Sequence, residues 1–432
     1  MPPEVTSFHN YEKRYELILT RIFPEKYPRD FEKKHGKQGK PYVISEPNRQ
    51  VIERYRIHLE NEGGISLARR IRVLFTMANL AEMVGKDFES ATREDIEHLV
   101  SQIVNRKGWG ETTRTMHKRM LKAFYKWLLG DNDFFPPQVR WIKCIRSGNS
   151  HKLPEEMLSE DEIIKIIQVA DHPMKKALIS ILWETGARIG ELGNAKIKSI
   201  QFDGTEATAM LDGKTGMRQV LLVSSVPFLR AWLEIHPLRD DKNAPLFVIV
   251  SPVHRGKRLS YASIRKVLDE TTTKAGINKP YNPHHWRHSR ATYLAGRLTE
   301  AQLCKVMGWQ IGSEMPATYI HLSGRDVHDA VRKIYGLGKK EKDEESTLKP
   351  RLCNICDELN EFTNLLCKKC NNPLTLEARL EYKDKLSQMQ EENIQVRNVL
   401  STLVDAMKKL NARVETLSPD QAREILEKVH AK

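Results

Sequence analysis

Long apolar runs are missing from this sequence. No stretch of 18 or more consecutive apolar residues occurs in its 432, which excludes a membrane-spanning helix. The opening MPPEVTSFHN lacks the basic-then-apolar pattern of a secretory signal. There is no GxxxxGKS/T loop to cradle nucleotide phosphates, and no paired-carboxylate motif near the basic residues to suggest a two-metal nuclease. Cysteines number only six, and acidic residues fall short of basic ones, 56 against 70, leaving a net charge of +14. Against these absences, 40% of residues are hydrophobic, enough for a core, which excludes a disordered basic tail. At roughly 150 residues per domain the length implies two or three domains. A generic soluble surface can carry a positive excess. The sharper reading is a polyanion partner, nucleic acid foremost.

Cys144 and Cys304 stand alone and read as ordinary buried thiols. The other four form Cys353-x2-Cys356-x10-Cys367-x2-Cys370. Each CxxC turn offers two thiolates to one ion, and two such turns suit tetrahedral Zn(II). With 18 residues from first to last cysteine, the segment has no room for a hydrophobic core, so metal would supply its folding energy. A closed four-sulfur site has no open coordination position, so the zinc is read as structural. Two disulfides are the alternative, but nothing signals an oxidising compartment.

Residues 1–46 are mixed, with an exposed basic run, KKHGKQGK. Segments 48–61, 66–84, 93–105 and 112–129 repeat apolar residues at helical spacing, and Thr92 reads as an N-cap. In the last of them Met120, Leu121, Phe124, Trp127 and Leu128 face inward. Lys118, Arg119, Lys122 and Lys126 face solvent, where with Arg69, Arg70 and Arg72 they are candidates for phosphate contact. A Pro-Pro pair marks residues 131–157 as a linker. From 158 the pattern is mixed: a helix ending at Gly186, then TEATAML and RQVLLVS as a hairpin with Lys214 at its tip, then more helices to about 336. GKKEKDEES is a charged linker. Beyond it, Leu386, Asn393, Leu400, Met407 and Val414 fall at heptad position a, and Met389, Val396, Leu403, Leu410 and Leu417 at d. That pattern predicts a coiled coil, and one Asn at an a position favours two strands. A single amphipathic helix packed on its own protein is the alternative. Pro419 then starts a short final helix.

Two stretches hold the residues suited to chemistry: ETGARIGEL, with Arg188 at the start of a helix, and NPHHWRHSRATYLA…VMGWQIGSEMPATYIHL. His284 and Arg287, three apart on a helix, share a face and can address one ligand. His285 and His288 flank that pair and are read as turned away from His284, with His288 a candidate for supporting the site. The order Arg188, Lys214, His284, Arg287, Trp309 and Tyr319 resembles the tyrosine recombinases, also called the phage integrase family. That family carries an Arg in a TGxRxxEL-like motif, a hairpin Lys, an HxxR pair, Gly-His or Gly-Trp, and a nucleophilic Tyr. The text ATYIHLSGRDV is similar to archaeal integrases. The resemblance covers 158–336 closely and 48–130 in helical character alone. It implies a mainly α fold with a small β-sheet or hairpin, with a helical core-binding domain (47–135) before a catalytic domain (158–337). The sequence itself adds an N-terminal extension (1–46), a linker (136–157), a charged linker (338–350), a zinc-ribbon-like knuckle (351–373), a coiled coil (376–417) and a C-terminal helix (418–432), and the knuckle and coiled coil lie outside the family's common core.

The chemistry suits these residue types. Cleaving a phosphodiester without catalytic metal requires neutralising a phosphorane, and Arg188 and Arg287 can donate paired hydrogen bonds to its oxygens. Tyr319 would attack phosphorus to give a 3′-phosphotyrosine. His284 is the expected proton acceptor or positioning group, and Lys214 the expected acid toward the leaving 5′-oxygen. Trp309 can donate one indole N–H but cannot shuttle a proton. Alternatives within the sequence are Tyr293, Tyr281 or Tyr335 as nucleophile, Lys196, Lys198 or Arg218 in place of Lys214, and an Arg188 engaged only with Glu191 or Glu184. His321 reads as support for the tyrosine's turn. The expected partners are double-stranded DNA and further copies of the chain: a dimer through the coiled coil and a tetramer on paired sites. No membrane partner and no catalytic cofactor are expected, and the expected location is the cytoplasm, at the nucleoid when DNA is bound. Type IB topoisomerase-like relaxation and a catalytically inactive DNA-binding scaffold are the rival readings.

Overall fold

The computed structural model describes residues 8, 10–27, 40–130, 133–144, 156–213, 216–322, 335, 346–415 and 417–430. The N-terminal part is helical: α1 (Tyr11–Ile22), α2 (Glu46–Asn61), α3 (Leu67–Val84), α4 (Arg93–Asn105), α5 (Glu111–Leu129) and a short α6 (Pro137–Arg140). Local chemistry sets the starts. The side chains of Ser45, Ser66 and Thr92 each accept a backbone N–H in the first turn, and Asp95 returns a bond to Thr92. The inward faces meet in one core that includes Ile52, Leu74, Phe88, Leu99 and Phe124.

Two boundaries read from the sequence fall inside packed chain. Ile18, Leu19 and Ile22 of α1, with Tyr42 and Ile44, are buried in that same core, so much of the segment read as an extension belongs to the helical domain. Val139 and Ile142 are buried there too, so the Pro-Pro segment begins as part of the domain rather than as a free linker. Each such side chain adds about 1.5–3 kcal/mol on burial, which outweighs the polar character of the flanking sequence. The KKHGKQGK run lies outside the described residues except for Lys40.

The second part comprises α7 (Glu160–Gln168), α8 (Pro173–Thr185), α9 (Ile189–Asn194), strands β1 (Ile200–Asp203), β2 (Glu206–Gly213) and β3 (Gly216–Leu222), then α10 (Val226–Glu234), α11 (Tyr261–Lys274), α12 (Pro283–Ala295), α13 (Glu300–Met307) and α14 (Met315–Leu322). Helix α8 is buried along nearly its whole length and forms the axis on which α7, α10 and α12 pack. The sheet is antiparallel in the order β1-β2-β3, with Ile200 opposite Ala209 and Gly213 opposite Gly216. Ala207, Ala209 and Leu211 alternate into the core, the period-2 pattern that identified the hairpin. Phe8, from the N-terminal segment, is buried in this second core, edge-on to Tyr261 at 6.4 Å.

The C-terminal part holds β4 (Arg351–Leu352), β5 (Leu359–Asn360), α15 (Leu376–Glu415) and α16 (Pro419–His430). Leu417, assigned to the last d position, lies beyond the end of α15. No helix among the described residues is long and apolar enough to cross a membrane.

Candidate active site

Arg188, Arg287, Trp309 and Tyr319 come from four separate places in the chain and meet at the C-terminal end of α13. Gly308 ends that helix with φ +63°, a left-handed conformation that a side chain resists, and a Cβ there would fall 2.7 Å from Arg218 Cδ. The last carbonyls of a helix lack intrahelical donors. Here three successive ones each meet a different guanidinium. Val306 O accepts from Arg218 Nη1, Met307 O from Arg287 Nη2 at 2.5 Å, and Gly308 O from Arg188 Nη2 at 3.4 Å. Arg287 is further fixed by Nη1 donating to Gly186 O at 2.7 Å.

One carboxylate serves two of these cations. Glu191, one turn into α9, accepts from Arg188 Nη1 at 2.7 Å through Oε1 and from Arg218 Nη2 at 2.9 Å through Oε2. Burial works to raise the Glu191 pKa, and the Arg218 and Arg188 guanidiniums overcome it, leaving the carboxyl below its ordinary value. Burial, then the neighbouring Arg188, pull Arg287 down to about 10, which keeps it charged at neutral pH. Three guanidiniums against one carboxylate leave an excess of positive charge, the electrostatic preparation for an anion. The pairing of Arg188 with Glu191 considered from sequence is therefore real, and it positions a charge rather than cancelling it.

Tyr319 on α14 is buried, 3% exposed, and its ring stacks on Trp309 at 5.2 Å between centroids with an interplanar angle of 13°. Arg287 lies over the same indole at 5.7 Å. Burial raises the Tyr319 pKa, and Arg287 opposes the rise. The hydroxyl lies 2.5 Å from His288 Nδ1. This corrects the expectation for α12. His288 is not turned away: four residues from His284, it shares that residue's face, with ring centroids 6.1 Å apart, and it is His288 that meets the tyrosine. His284 is exposed on the first turn. The spacing HxxRH in the sequence carried the signal, since i and i+4 share a face as i and i+3 do. Arg218 was weighed only as a rival to Lys214, and the site uses it as a buried anchor. Lys214 lies outside the described residues. Its chain neighbour Gly213 sits against Glu191, where a Cβ would fall 2.4 Å from Oε1. Nothing is described of the His321 side chain. Tyr293 meets Trp183 instead, with centroids 5.8 Å apart and the rings tilted at 59°.

The four knuckle cysteines place their sulfurs within 4.8 Å of one another. Cys353 and Cys370 are 3.5 Å apart, and Cys356 and Cys367 3.6 Å. Tetrahedral thiolates at about 2.3 Å from zinc would sit about 3.8 Å apart, so the donor set fits that ion. Two matching turns build the cage. Asp357 and Asn371, each following the second cysteine of a pair, adopt φ 54° and 57°, and their N–H groups return to Cys353 O and Cys367 O. Buried Asn360 points Nδ2 at Cys367 Sγ, 3.6 Å away. The expectation that the segment lacks a core needs correction, because it borrows one. Leu348, Leu359 and Phe362 are buried in the core built on α8, and Phe362 meets Phe228 edge-on at 5.4 Å.

A cleft of about 1470 Å³ in the helical domain is lined by Arg69, Arg72, Arg119, Lys122 and Lys126 beside the stacked His58 and Trp127. Two candidates from the sequence are absent from its lining. Arg70 pairs with Glu60 at 3.6 Å, and Lys118 lies elsewhere on α5.

Comparison with known proteins agrees with this geometry. The model of the phage integrase family matches residues 156–325. Tyrosine recombinase XerA of Pyrococcus horikoshii is 21% identical over 286 residues, 66% of this chain and 94% of the relative. Tyrosine recombinase XerC of Escherichia coli is 24% identical over 252 residues, 56% of this chain and 82% of the relative. Among solved structures, a lambda integrase dimer bound to a COC′ core site superposes with a TM-score of 0.51 at 15% identity, covering 64% of this chain and 78% of that one. The XerH recombinase bound to palindromic difH substrate, a post-cleavage complex, gives 0.50 at 17% identity, covering 77% and 98%. At these identities the structural likeness speaks to the fold, which is the mainly helical one with small antiparallel sheets that the sequence implied. Residues 156–325, the second domain, match the phage integrase family, and over a longer span the chain is similar to tyrosine recombinases of that family.

Proposed function

We propose that this chain is a site-specific DNA recombinase that cleaves and rejoins duplex DNA through a 3′-phosphotyrosine on Tyr319. The observation that carries the reading is a buried tyrosine hydroxyl on an imidazole, beside three guanidiniums that a single carboxylate offsets. In this reading a scissile phosphate takes the place left for an anion. Arg188 and Arg287 hold its equatorial oxygens through N–H groups their carbonyl bonds leave over, and Trp309 offers a further indole N–H. Preorganised donors of this kind are worth about 3–4 kcal/mol each in the transition state. Tyr319 Oη attacks phosphorus and its proton passes toward His288. The bond to the 5′-oxygen breaks, and Lys214 protonates that oxygen. A 5′-hydroxyl of a second strand then displaces the tyrosine, so the phosphodiester is conserved and neither ATP nor a catalytic metal is consumed.

The cations of the helical-domain cleft support a duplex gripped first through its phosphates. Structural Zn(II) on Cys353, Cys356, Cys367 and Cys370 would close the knuckle, and further copies of the chain would assemble through α15. These features suit a protein working in the cytoplasm on nucleoid DNA.

The test is covalent capture on a nicked suicide duplex. The wild-type chain should form a protein–DNA adduct, and Tyr319→Phe should bind the same duplex without forming one. Adducts at wild-type level in Tyr319→Phe would overturn the assignment. Comparing supercoiled DNA with and without paired sites separates recombination from topoisomerase-like relaxation, and a wild-type chain that binds but never links to DNA would mark the inactive scaffold.

A further inference from the structure

Helix α15 runs uninterrupted for 40 residues, about 60 Å. Its apolar a and d side chains from Leu386 to Leu410 are 42–70% exposed, a seam with no cover among the described residues. The base of the helix, by contrast, is fixed. Ala378 is buried, Leu374 N–H donates to Leu365 O at 2.8 Å, and the knuckle it leaves is seated on the second domain through Phe362 and the Lys176–Glu361 pair at 3.4 Å. The helix therefore leaves its domain at a set angle instead of trailing on a loose linker.

We propose that the occupant of this seam is α15 of a second copy, running parallel and in register, so that two recombinase domains are held side by side at the N-terminal end of the coil. The proposal deepens the homodimer reading above and does not depend on strand-transfer chemistry. Two features select the geometry. The first is Asn393. In register it lies at a opposite its own copy, and the two amides bond to each other. An antiparallel pair sets a against d, and every d residue is apolar, so each Asn393 would be buried without a partner. The second is the flanking positions g and e, which in a parallel pair meet five residues apart. Glu392 then faces Arg397 of the other strand, and Val399 faces Val404, so charge meets opposite charge and apolar meets apolar in successive heptads. Val399 and Val404, 59% and 48% exposed, thereby widen the seam at its centre. An antiparallel pair centred between Leu400 and Leu403 puts Val404 against Arg397 instead. For DNA, the consequence is bivalency: once one copy grips a half-site, the second is presented at high effective concentration.

The experiment uses the full zinc-loaded chain carrying Cys144→Ser. Sedimentation equilibrium at micromolar concentration should give the mass of two copies, and Leu400→Asp combined with Leu403→Asp should halve it while leaving the melting of the folded domains in place. Met389→Cys should then give a disulfide-linked dimer under mild oxidation, because d faces d in register. In the antiparallel pair these cysteines would lie about 37 Å apart. A dimer without the disulfide overturns the parallel register and leaves the homodimer standing. A monomer, or a mass of four copies without DNA, overturns both. A disulfide-linked dimer in Cys144→Ser alone would show the link to be adventitious, and the register would then fall unless Asn393→Leu loosened it.

Discussion

Glu191 and His288 are the two residues whose roles depend most on the folded chain. Glu191 lies within the TGxRxxEL-like motif, so its presence was legible. That it also holds Arg218, 27 positions away on β3, was not, because the bond forms only when the hairpin closes over α9. Its carboxyl sits below the ordinary value of about 4.5, so the sign is fixed: the stabilisation is complete above that value and is lost as pH falls through the lower folded value. Glu191→Gln should cost about 3 kcal/mol at pH 7 by leaving the buried Arg218 without its counter-charge. Thermal melts from pH 6 to pH 3 should accordingly fall less steeply in the variant than in wild type. The contact of His288 with the tyrosine was missed because a motif written as HxxR draws attention to three-residue spacing, whereas the tyrosine reaches α12 from 31 residues away. His288→Gln should lower the cleavage rate at least a hundredfold with duplex binding unchanged. His284→Gln should lower it far less.

Among the elements, those with a period and a cap were readable in advance. Helices α2 to α5 begin and end within two residues of where the apolar spacing and, for α4, the Thr92 cap place them, and the hairpin announced itself by alternation. The knuckle's seat was hidden, since Leu348, Leu359 and Phe362 have no period and their partners lie more than 100 residues upstream. That seat would make the influence of the proposed zinc broader than the cysteines alone suggest. For the zinc-loaded chain, a chelator should loosen the packing on α8 and α10 and lower the melting temperature of the second domain as well as unravelling the knuckle. Phe362→Ala, at about 3–5 kcal/mol for a buried ring, should lower the same transition with zinc still bound. A second-domain transition unmoved by either change would mean that the knuckle is only tethered.

Among the described residues, the positive charge behind the net +14 gathers at two candidate sites. The arginines around Glu191 form one. The cleft between α3 and α5 is the other, and it was half legible: Arg69, Arg72, Arg119, Lys122 and Lys126 line it as their spacing suggested, whereas Arg70 is spent on Glu60. Replacing Arg72, Arg119 and Lys122 by alanine should weaken duplex binding at all sequences alike. The slope of log K against log salt should fall by about 0.9 for each phosphate that the variant no longer neutralises. Phe8, seated in the second core while α1 packs in the first, joins the two parts in a way that composition alone cannot reveal. The central claim is that one tyrosine of twelve, Tyr319, carries the DNA. The most direct measurement is to trap the adduct on a suicide duplex, digest it, and locate the nucleotide-bearing peptide by mass spectrometry. The account predicts a 3′-phosphate linked to Tyr319 in the peptide containing ATYIHL. A link to Tyr293, Tyr281 or Tyr335, or a 5′-phosphate on any tyrosine, would contradict it.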